Sequence, residues 1–180
     1  MAEYFEAPTD YIGGGPSLFL AGGITNCPDW QAEMRGLLAG FDVTILNPRR
    51  RDFDVGNPDA AGAQIAWEFH HLRKASAILF WFPRETLCPI VLYELGAWSM
   101  TDKPIFVGVH PGYVRRQDVV LQTRLARPDV EIVDNLEAIA EQVISDRVPV
   151  KGDFAPCRIC GAQRGIPCDR LVHGEEEGDG

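Results

Sequence analysis

A single carboxylate stands out as a group that could do chemistry. Glu94 is the only charged residue between Glu85 and Asp102, and it lies in a stretch that otherwise reads as an apolar helix. A carboxylate in apolar surroundings carries a desolvation penalty unless it is partnered or used, so Glu94 is a candidate nucleophile or general base. Pairing with an arginine or a backbone donor is the structural alternative, and the residues alone leave both open.

A second candidate is a set of metal-ligand types near the C-terminus, spaced Cys157-x2-Cys160-x7-Cys168-x4-His173. Three thiolates and one imidazole suit tetrahedral zinc. A segment of about 20 residues cannot fold around a core of its own, and a metal would supply the missing free energy. We therefore predict a structural Zn2+ here, and a cysteine-bearing tail without structure is the alternative.

Three consecutive arginines, Arg49 to Arg51, directly follow Asn47-Pro48 in a chain of formal net charge −9. Arginine forks match phosphate and carboxylate geometry, which favours an anionic substrate. Pairing with the nearby acids Asp52, Asp54 and Asp59 is the other interpretation. Glu68 is a further acid, and residues near it in the sequence are apolar. The sequence therefore does not decide whether Glu68 is buried or faces the solvent.

The composition bounds the class of protein. An apolar fraction of 46% can form a core, which excludes whole-chain disorder. The net charge argues against a body that binds nucleic acid or anionic membrane non-specifically, although four of the acids lie in the last six residues. No apolar run approaches the roughly 20 residues of a membrane span, and the acidic N-terminus does not resemble a signal peptide. We expect a cytoplasmic protein with reduced thiols, in which Cys27 and Cys88 are small buried or capping residues.

Short apolar runs alternate with amphipathic stretches, which predicts an α/β fold with a five-stranded parallel sheet. Strands are predicted at 18–21, 43–46, 77–82, 104–109 and 130–133, and helices at 29–39, 63–75, 89–100, 117–125 and 136–144, with a loop over 49–62. Helices then cover both faces, and ligands bind on the loops beyond the carboxyl ends of the strands. Those loops carry the candidates Gly22, Gly23, Asn47, Arg49, Arg50, Tyr113 and Arg116.

Several motifs occur together in the order of a known family. They are Phe19-Leu-Ala-Gly-Gly-Ile24, Asp29-Trp-Gln31, Leu46-Asn-Pro-Arg-Arg50, Gln64-Ile-Ala-Trp-Glu68, Ile78-Leu-Phe-Trp-Phe-Pro83, Glu94-Leu-Gly96 and the run from Val107 to Asp118. Across about Ser17 to Val143, the chain resembles the nucleoside 2-deoxyribosyltransferase-like family, in its branch with Asn-Pro-Arg-Arg and Trp-Glu motifs. The C-terminal cysteines resemble a zinc knuckle.

The resemblance implies a flavodoxin-like three-layer sandwich over 17–147, after an N-terminal extension at 1–16. A linker at 148–155, the zinc segment at 156–174 and an acidic tail at 175–180 follow. The family implies that Glu94 attacks C1′ of a (deoxy)nucleoside or its 5′-monophosphate, expels the base and leaves a covalent glycosyl-enzyme. A base acceptor then gives transfer, and water gives hydrolysis.

The resemblance also suggests roles for other residues. Glu68 would contact the base or position a proton, and Gly22 and Gly23 would form the sugar-side loop. Further substrate-binding candidates are Asn47, Arg49, Arg50, Trp67, Tyr113 and Arg116, with the arginines placed to hold a phosphate. The family also implies a homo-oligomer.

One departure from the family keeps other functions open. Relatives carry an aspartate in the third-strand region where this chain has Ala77. A second hypothesis is therefore a non-catalytic nucleotide-binding or sensor module whose zinc segment contacts a partner or nucleic acid. A third is a nucleic-acid-processing accessory tethered by the zinc segment, which carries Arg158, Arg164 and Arg170.

Overall fold

The chain alternates strands with helices, as the sequence predicts. The computed structural model describes residues 3–50, 58–146 and 148. The strands are β1 (Tyr4–Glu6), β2 (Ser17–Gly22), β3 (Thr44–Asn47), β4 (Ala77–Phe82), β5 (Ile105–Val109) and β6 (Ile132–Val133). The helices are α1 (Trp30–Leu37), α2 (Pro58–Lys74), α3 (Pro89–Ser99), α4 (Arg116–Ala126) and α5 (Leu136–Asp146). None of the helices in these ranges is long and apolar enough to cross a membrane.

The strands form one parallel sheet in the order β1-β3-β2-β4-β5-β6. Without β1, this is the flavodoxin-like order, so the predicted α/β class and parallel sheet are confirmed. The predicted number of five strands was wrong, because the sheet has six. The additional strand, β1, comes from the residues assigned to the N-terminal extension, and it pairs with β3 with Tyr4 opposite Ile45.

The segment that follows β1 is held against α2 by specific contacts. Tyr11 is buried, and its backbone N–H donates to His71 Nε2 at 3.1 Å. The Trp67 indole N–H donates to the Thr9 carbonyl at 3.0 Å, and Lys74 Nζ donates to the Tyr11 carbonyl. These contacts join parts of the chain that are far apart in sequence. The pairing of β1 with β3 is also a long-range contact, so the short stretch around β1 has no strand pattern of its own.

Two apolar clusters, one on each face, hold the helices to the sheet. One face packs side chains of α2, α3 and α4, including Trp67, Leu72, Val91, Leu95 and Val119, against β-strand residues. The other packs α1 and α5 through Trp30, Met34, Leu136, Ile139 and Val143. The near-continuous burial of β2 and β4 follows, since both of their faces are covered.

The start of α2 differs from the prediction. The stretch 49–62 was predicted as a loop, but α2 begins at Pro58. Proline suits the first helical turn because its φ is already helical and it lacks the N–H that a helix start leaves unpaired. Ala60 and Ala61 continue with the strongest helix former. The polar composition of the stretch thus concealed an early helix start.

Candidate active site

The carboxyl ends of the strands define where a ligand site can form. The chain leaves β2 for α1 on one face of the sheet, and leaves β4 for α3 on the other. Because β2 and β4 are neighbours, the point between them is the topological switch point, where ligands bind in open sheets of this kind. The predicted candidates lie on or next to this edge.

The loop after β2 lies directly against the loop after β4. The Gly23 carbonyl accepts hydrogen bonds from Trp30 Nε1 at 2.8 Å and from Gln31 Nε2 at 3.4 Å. A Cβ on Gly23 would come within 2.6 Å of Thr86 Cγ2 and 3.1 Å of Cys88 Sγ. The glycine therefore permits a close approach between the two loops.

The N-terminus of α3 is fixed by buried groups. Cys88 is the N-cap residue, with φ of +50°, and is buried. The Tyr113 hydroxyl donates to the Leu87 carbonyl at 2.7 Å, which ties the loop after β5 to this cap. Burial raises the pKa of Cys88 to about 12 and the pKa of Tyr113 to about 12, so both stay protonated at neutral pH. The expectation that Cys88 is a buried capping residue is confirmed.

Glu68 and Glu94 form a half-buried pair of carboxyl groups on adjacent helices. Glu94 lies in the second turn of α3, and Glu68 lies on α2. Side chains on a helix tilt toward its N-terminus, so both carboxyl groups lean toward the carboxyl edge of the sheet. Within the described ranges, no lysine or arginine forms an ion pair with Glu94. The alternative was pairing with an arginine or a backbone donor, and burial and the charge of Glu68 are the influences recorded on Glu94 in the described part of the chain.

The two carboxyl groups differ in their electrostatics. Burial raises the pKa of Glu94 to about 8, and the negative charge of Glu68 adds to this rise. Burial also raises the pKa of Glu68, but a hydrogen bond from Gln64 Nε2 at 2.8 Å opposes it. The hydrogen bond from Gln64 thus favours a negative charge on Glu68, and that charge disfavours a second one on Glu94.

The side chain of Arg49 turns toward α1. Its Nε donates to Gln31 Oε1 at 2.9 Å and lies 3.4 Å from Asp29 Oδ1, and its Nη2 donates to the Pro28 carbonyl at 3.0 Å. Gln31 is fully buried. Arg49 thereby links the loop after β3 to the loop after β2, while the adjacent Arg50 is half-buried at the same edge.

Three other predicted substrate-binding residues make contacts within the protein. Asn47 is buried, donates from Nδ2 to the Tyr4 hydroxyl at 2.6 Å and accepts from the Arg49 N–H. Trp67 is buried and stacks on His71 with ring centroids 3.9 Å apart. Arg116 donates to the Val109 carbonyl at 3.2 Å. These three side chains thus brace the loops and α2, while the effect of the Glu68 charge on Glu94 shows that the two carboxyl groups lie near each other.

The sequence reasoning assigned no role to two glutamines of this site. Gln31 precedes Met34 by three residues and Leu38 by seven, so it falls on the apolar stripe of α1, where a polar side chain signals a specific partner. Gln64 precedes Glu68 by four residues, the spacing at which helical side chains meet. Both signals could have been read from the sequence.

The predicted zinc ligands Cys157, Cys160, Cys168 and His173 lie outside the described residues. Within the described part, no group of three or more histidine, cysteine or acidic side chains could hold a metal ion.

The fold agrees with a comparison of the sequence with protein families. The model described as "Nucleoside 2-deoxyribosyltransferase like" matches residues 15–113, more than half of the chain. The chain therefore belongs to the nucleoside 2-deoxyribosyltransferase-like family, which indicates glycosyl-transfer chemistry on nucleosides. The matched range contains both Glu68 and Glu94. No curated protein matches the chain.

Proposed function

We propose that this protein cleaves or transfers the N-glycosidic bond of a (deoxy)nucleoside or nucleoside 5′-monophosphate, with Glu94 as the nucleophile. The single observation that carries the proposal is the half-buried carboxyl pair of Glu68 and Glu94 in a member of this family. Retaining glycosidases use two carboxyl groups in the same way, one as nucleophile and one as proton donor.

The chemistry divides between the two groups. The ionised Glu94 carboxylate attacks C1′, the bond from C1′ to the base nitrogen breaks, and the departing base takes a proton from Glu68. The remaining negative charge favours the oxocarbenium-like transition state. An incoming base or water then displaces the sugar from Glu94. A pair that holds one proton can supply one nucleophile and one acid at once when that proton lies on Glu68.

A substrate panel tests the proposal. The full-length chain is incubated with purine and pyrimidine nucleosides, deoxynucleosides and their 5′-monophosphates, with and without a second base, and free base is measured by chromatography. Release of base supports hydrolysis, and exchange of base supports transfer. Ligand-dependent thermal stabilisation without bond cleavage would replace the proposal with the nucleotide sensor.

We also propose that the protein forms a homo-oligomer through the outer surface of α2 and α3. The side chains of Ile65 and Phe69 on α2 and of Ile90 and Tyr93 on α3 are between 55% and 78% exposed. Exposed apolar groups of this size on two helices are typical of an interaction surface. They lie on the helices that carry Glu68 and Glu94, so a second copy placed there would cover the site.

The oligomer prediction is tested by charge at this surface. We expect Tyr93→Glu, whose side chain is 78% exposed, to lower the mass measured by light scattering to that of a monomer, because a buried unpaired carboxylate opposes association. Leu125→Glu on α4 is the matched control, since that side chain is 86% exposed and lies on a different helix. An unchanged mass for Tyr93→Glu, or a monomeric wild type, contradicts the proposal.

We further propose that residues 156–174 bind one zinc ion through Cys157, Cys160, Cys168 and His173. The expected result is about one zinc per chain by elemental analysis, with loss of this metal in Cys157→Ser, because tetrahedral structural sites use all four ligands. Cys27→Ser is the control and keeps the zinc, as Cys27 lies in the α/β domain. Equal zinc content in the two variants would exclude this ligand set.

A further inference from the structure

Gln64 connects the carboxyl pair to the loop after β3. Its side-chain Nε2 donates to Glu68 Oε1 at 2.8 Å and to the Pro48 carbonyl at 2.8 Å. Gln64 and Glu68 are separated by one turn of α2, whereas Pro48 belongs to the Asn-Pro-Arg-Arg segment. One amide group thus ties the acid on the helix to the strand end.

The orientation of the Gln64 amide follows from its partners. Both the Glu68 carboxylate and the Pro48 carbonyl are acceptors, so the NH2 group must face them and the oxygen must face away. The Gln64 Oε1 atom is buried and has no hydrogen-bond partner within the described residues. A buried acceptor without a donor costs free energy. The two hydrogen bonds from Nε2 hold the amide in this orientation in spite of that cost.

The hydrogen bond acts on the ionised form of Glu68. A carboxylate accepts the Gln64 N–H more strongly than a neutral carboxyl group does, so the bond favours ionisation of Glu68 and opposes the effect of burial. Across the pair, that negative charge disfavours a second charge on Glu94. Burial is the larger cause of the raised pKa of Glu94. Among the described residues, Glu68 is the charged group that adds to it.

We infer that Gln64 is a positioning residue that holds the Glu68 carboxylate in place and decides which of the two carboxyl groups carries the shared proton. The two hydrogen bonds of Gln64 favour the ionised form of Glu68, so they direct the proton toward Glu94. Catalysis then requires the proton to lie on Glu68, so Gln64 sets how far the resting protein is from the reactive arrangement. This role deepens the proposed function and depends on it for its catalytic meaning.

The test measures the proton distribution directly. The full-length protein is labelled with 13C at the glutamate side-chain carboxyl carbons, and the Glu68 and Glu94 resonances are assigned through Glu68→Gln and Glu94→Gln. In Gln64→Met, which keeps the side-chain length and removes both donors, we expect the Glu68 midpoint to move up and the Glu94 midpoint to move down. Opposite movements are a signature that a loss of packing would not produce.

Two further variants complete the design. Gln64→Asn draws the amide back by one methylene. It should shift the Glu68 and Glu94 midpoints in the same directions as Gln64→Met, but by less. Gln142 lies on α5 and donates to the Glu131 carbonyl. Gln142→Met removes this donor and should move neither midpoint. If wild type releases base, Gln64→Met should also widen the pH profile of kcat/KM, because the proton then moves toward Glu68, the arrangement that catalysis requires.

The outcomes separate the inference from the proposed function. Unmoved midpoints in folded Gln64→Met and Gln64→Asn overturn the inference, whatever the enzyme does. Opposite shifts in a protein that cleaves no substrate leave the proton assignment standing and overturn the catalytic proposal.

Discussion

Glu94→Gln is expected to abolish base release from any substrate that the wild-type protein cleaves, with turnover reduced by about a thousandfold or more. The amide has nearly the shape of the carboxyl group but cannot form the ester to C1′. Quenched-flow or long-incubation chromatography measures the residual rate. Mass spectrometry of the denatured wild type during turnover should show the glycosyl adduct, and the variant should lack it.

Glu33→Gln is the matched control for this result, because Glu33 is exposed in the first turn of α1 on the other face of the sheet. It should keep the wild-type rate. Base release by Glu94→Gln within tenfold of the wild-type rate would exclude Glu94 as the nucleophile. Another residue would then have to attack C1′.

The same substitution has a predictable effect on stability. Burial raises the pKa of Glu94 in the folded protein to about 8 from its ordinary value of 4.5, so the folded state binds the proton more tightly than the unfolded chain. The stability that this group contributes is full below its unfolded pKa and is lost as the pH rises through about 8. Glu94→Gln removes the charge, so its midpoint of urea denaturation should exceed that of wild type at pH 8.5 and match it near pH 4.5.

The largest loss of stability is expected for Gly22→Ala. A Cβ on Gly22 would lie 2.7 Å from the backbone carbonyl oxygen of Trp81 and would collide with the ring of Trp30. Neither can move freely, because the carbonyl belongs to β4 and the Trp30 indole is buried and bonded to Gly23. Forcing one methyl group into such a space costs about 3 kcal/mol, close to the upper end for overpacking.

Chemical denaturation at constant pH measures this loss. Gly36→Ala on α1 is the matched control, because a Cβ there meets no atom within 4 Å. Alanine in a helix interior should stabilise that variant by about 0.5–1 kcal/mol. Equal midpoints for Gly22→Ala and Gly36→Ala would show that the loop after β2 adapts, and that its tight packing against β4 does not contribute to the fold.

The sequence predicted the strands and helices that carry a hydrophobic pattern of their own. The strand at 77–82 has the predicted bounds, because a continuous apolar run reports burial on both faces directly. β1 was missed for the opposite reason: Tyr4–Glu6 has no pattern of its own and becomes a strand through pairing with β3. The early start of α2 was hidden by a polar stretch in which Pro58 was read as a loop residue.

At the candidate site, the sequence did not predict the contacts that the side chains make. Glu94 was identified from its isolation in an apolar stretch, and burial with a perturbed pKa agrees with that reasoning. The direction of the Arg49 side chain was not predictable, since it depends on Gln31, which lies 18 positions earlier. Likewise, Trp67 donates to Thr9, a contact that only the folded N-terminal segment creates.

The two outermost strands have a consequence for assembly. β1 has three residues and β6 has two, so each open edge of the sheet offers another chain very few free backbone donors and acceptors. Edges of this kind discourage strand addition and aggregation. Deleting the first residues of the chain would expose the longer β3 as the new edge, so shortened forms of the protein should precipitate more readily than the full-length chain.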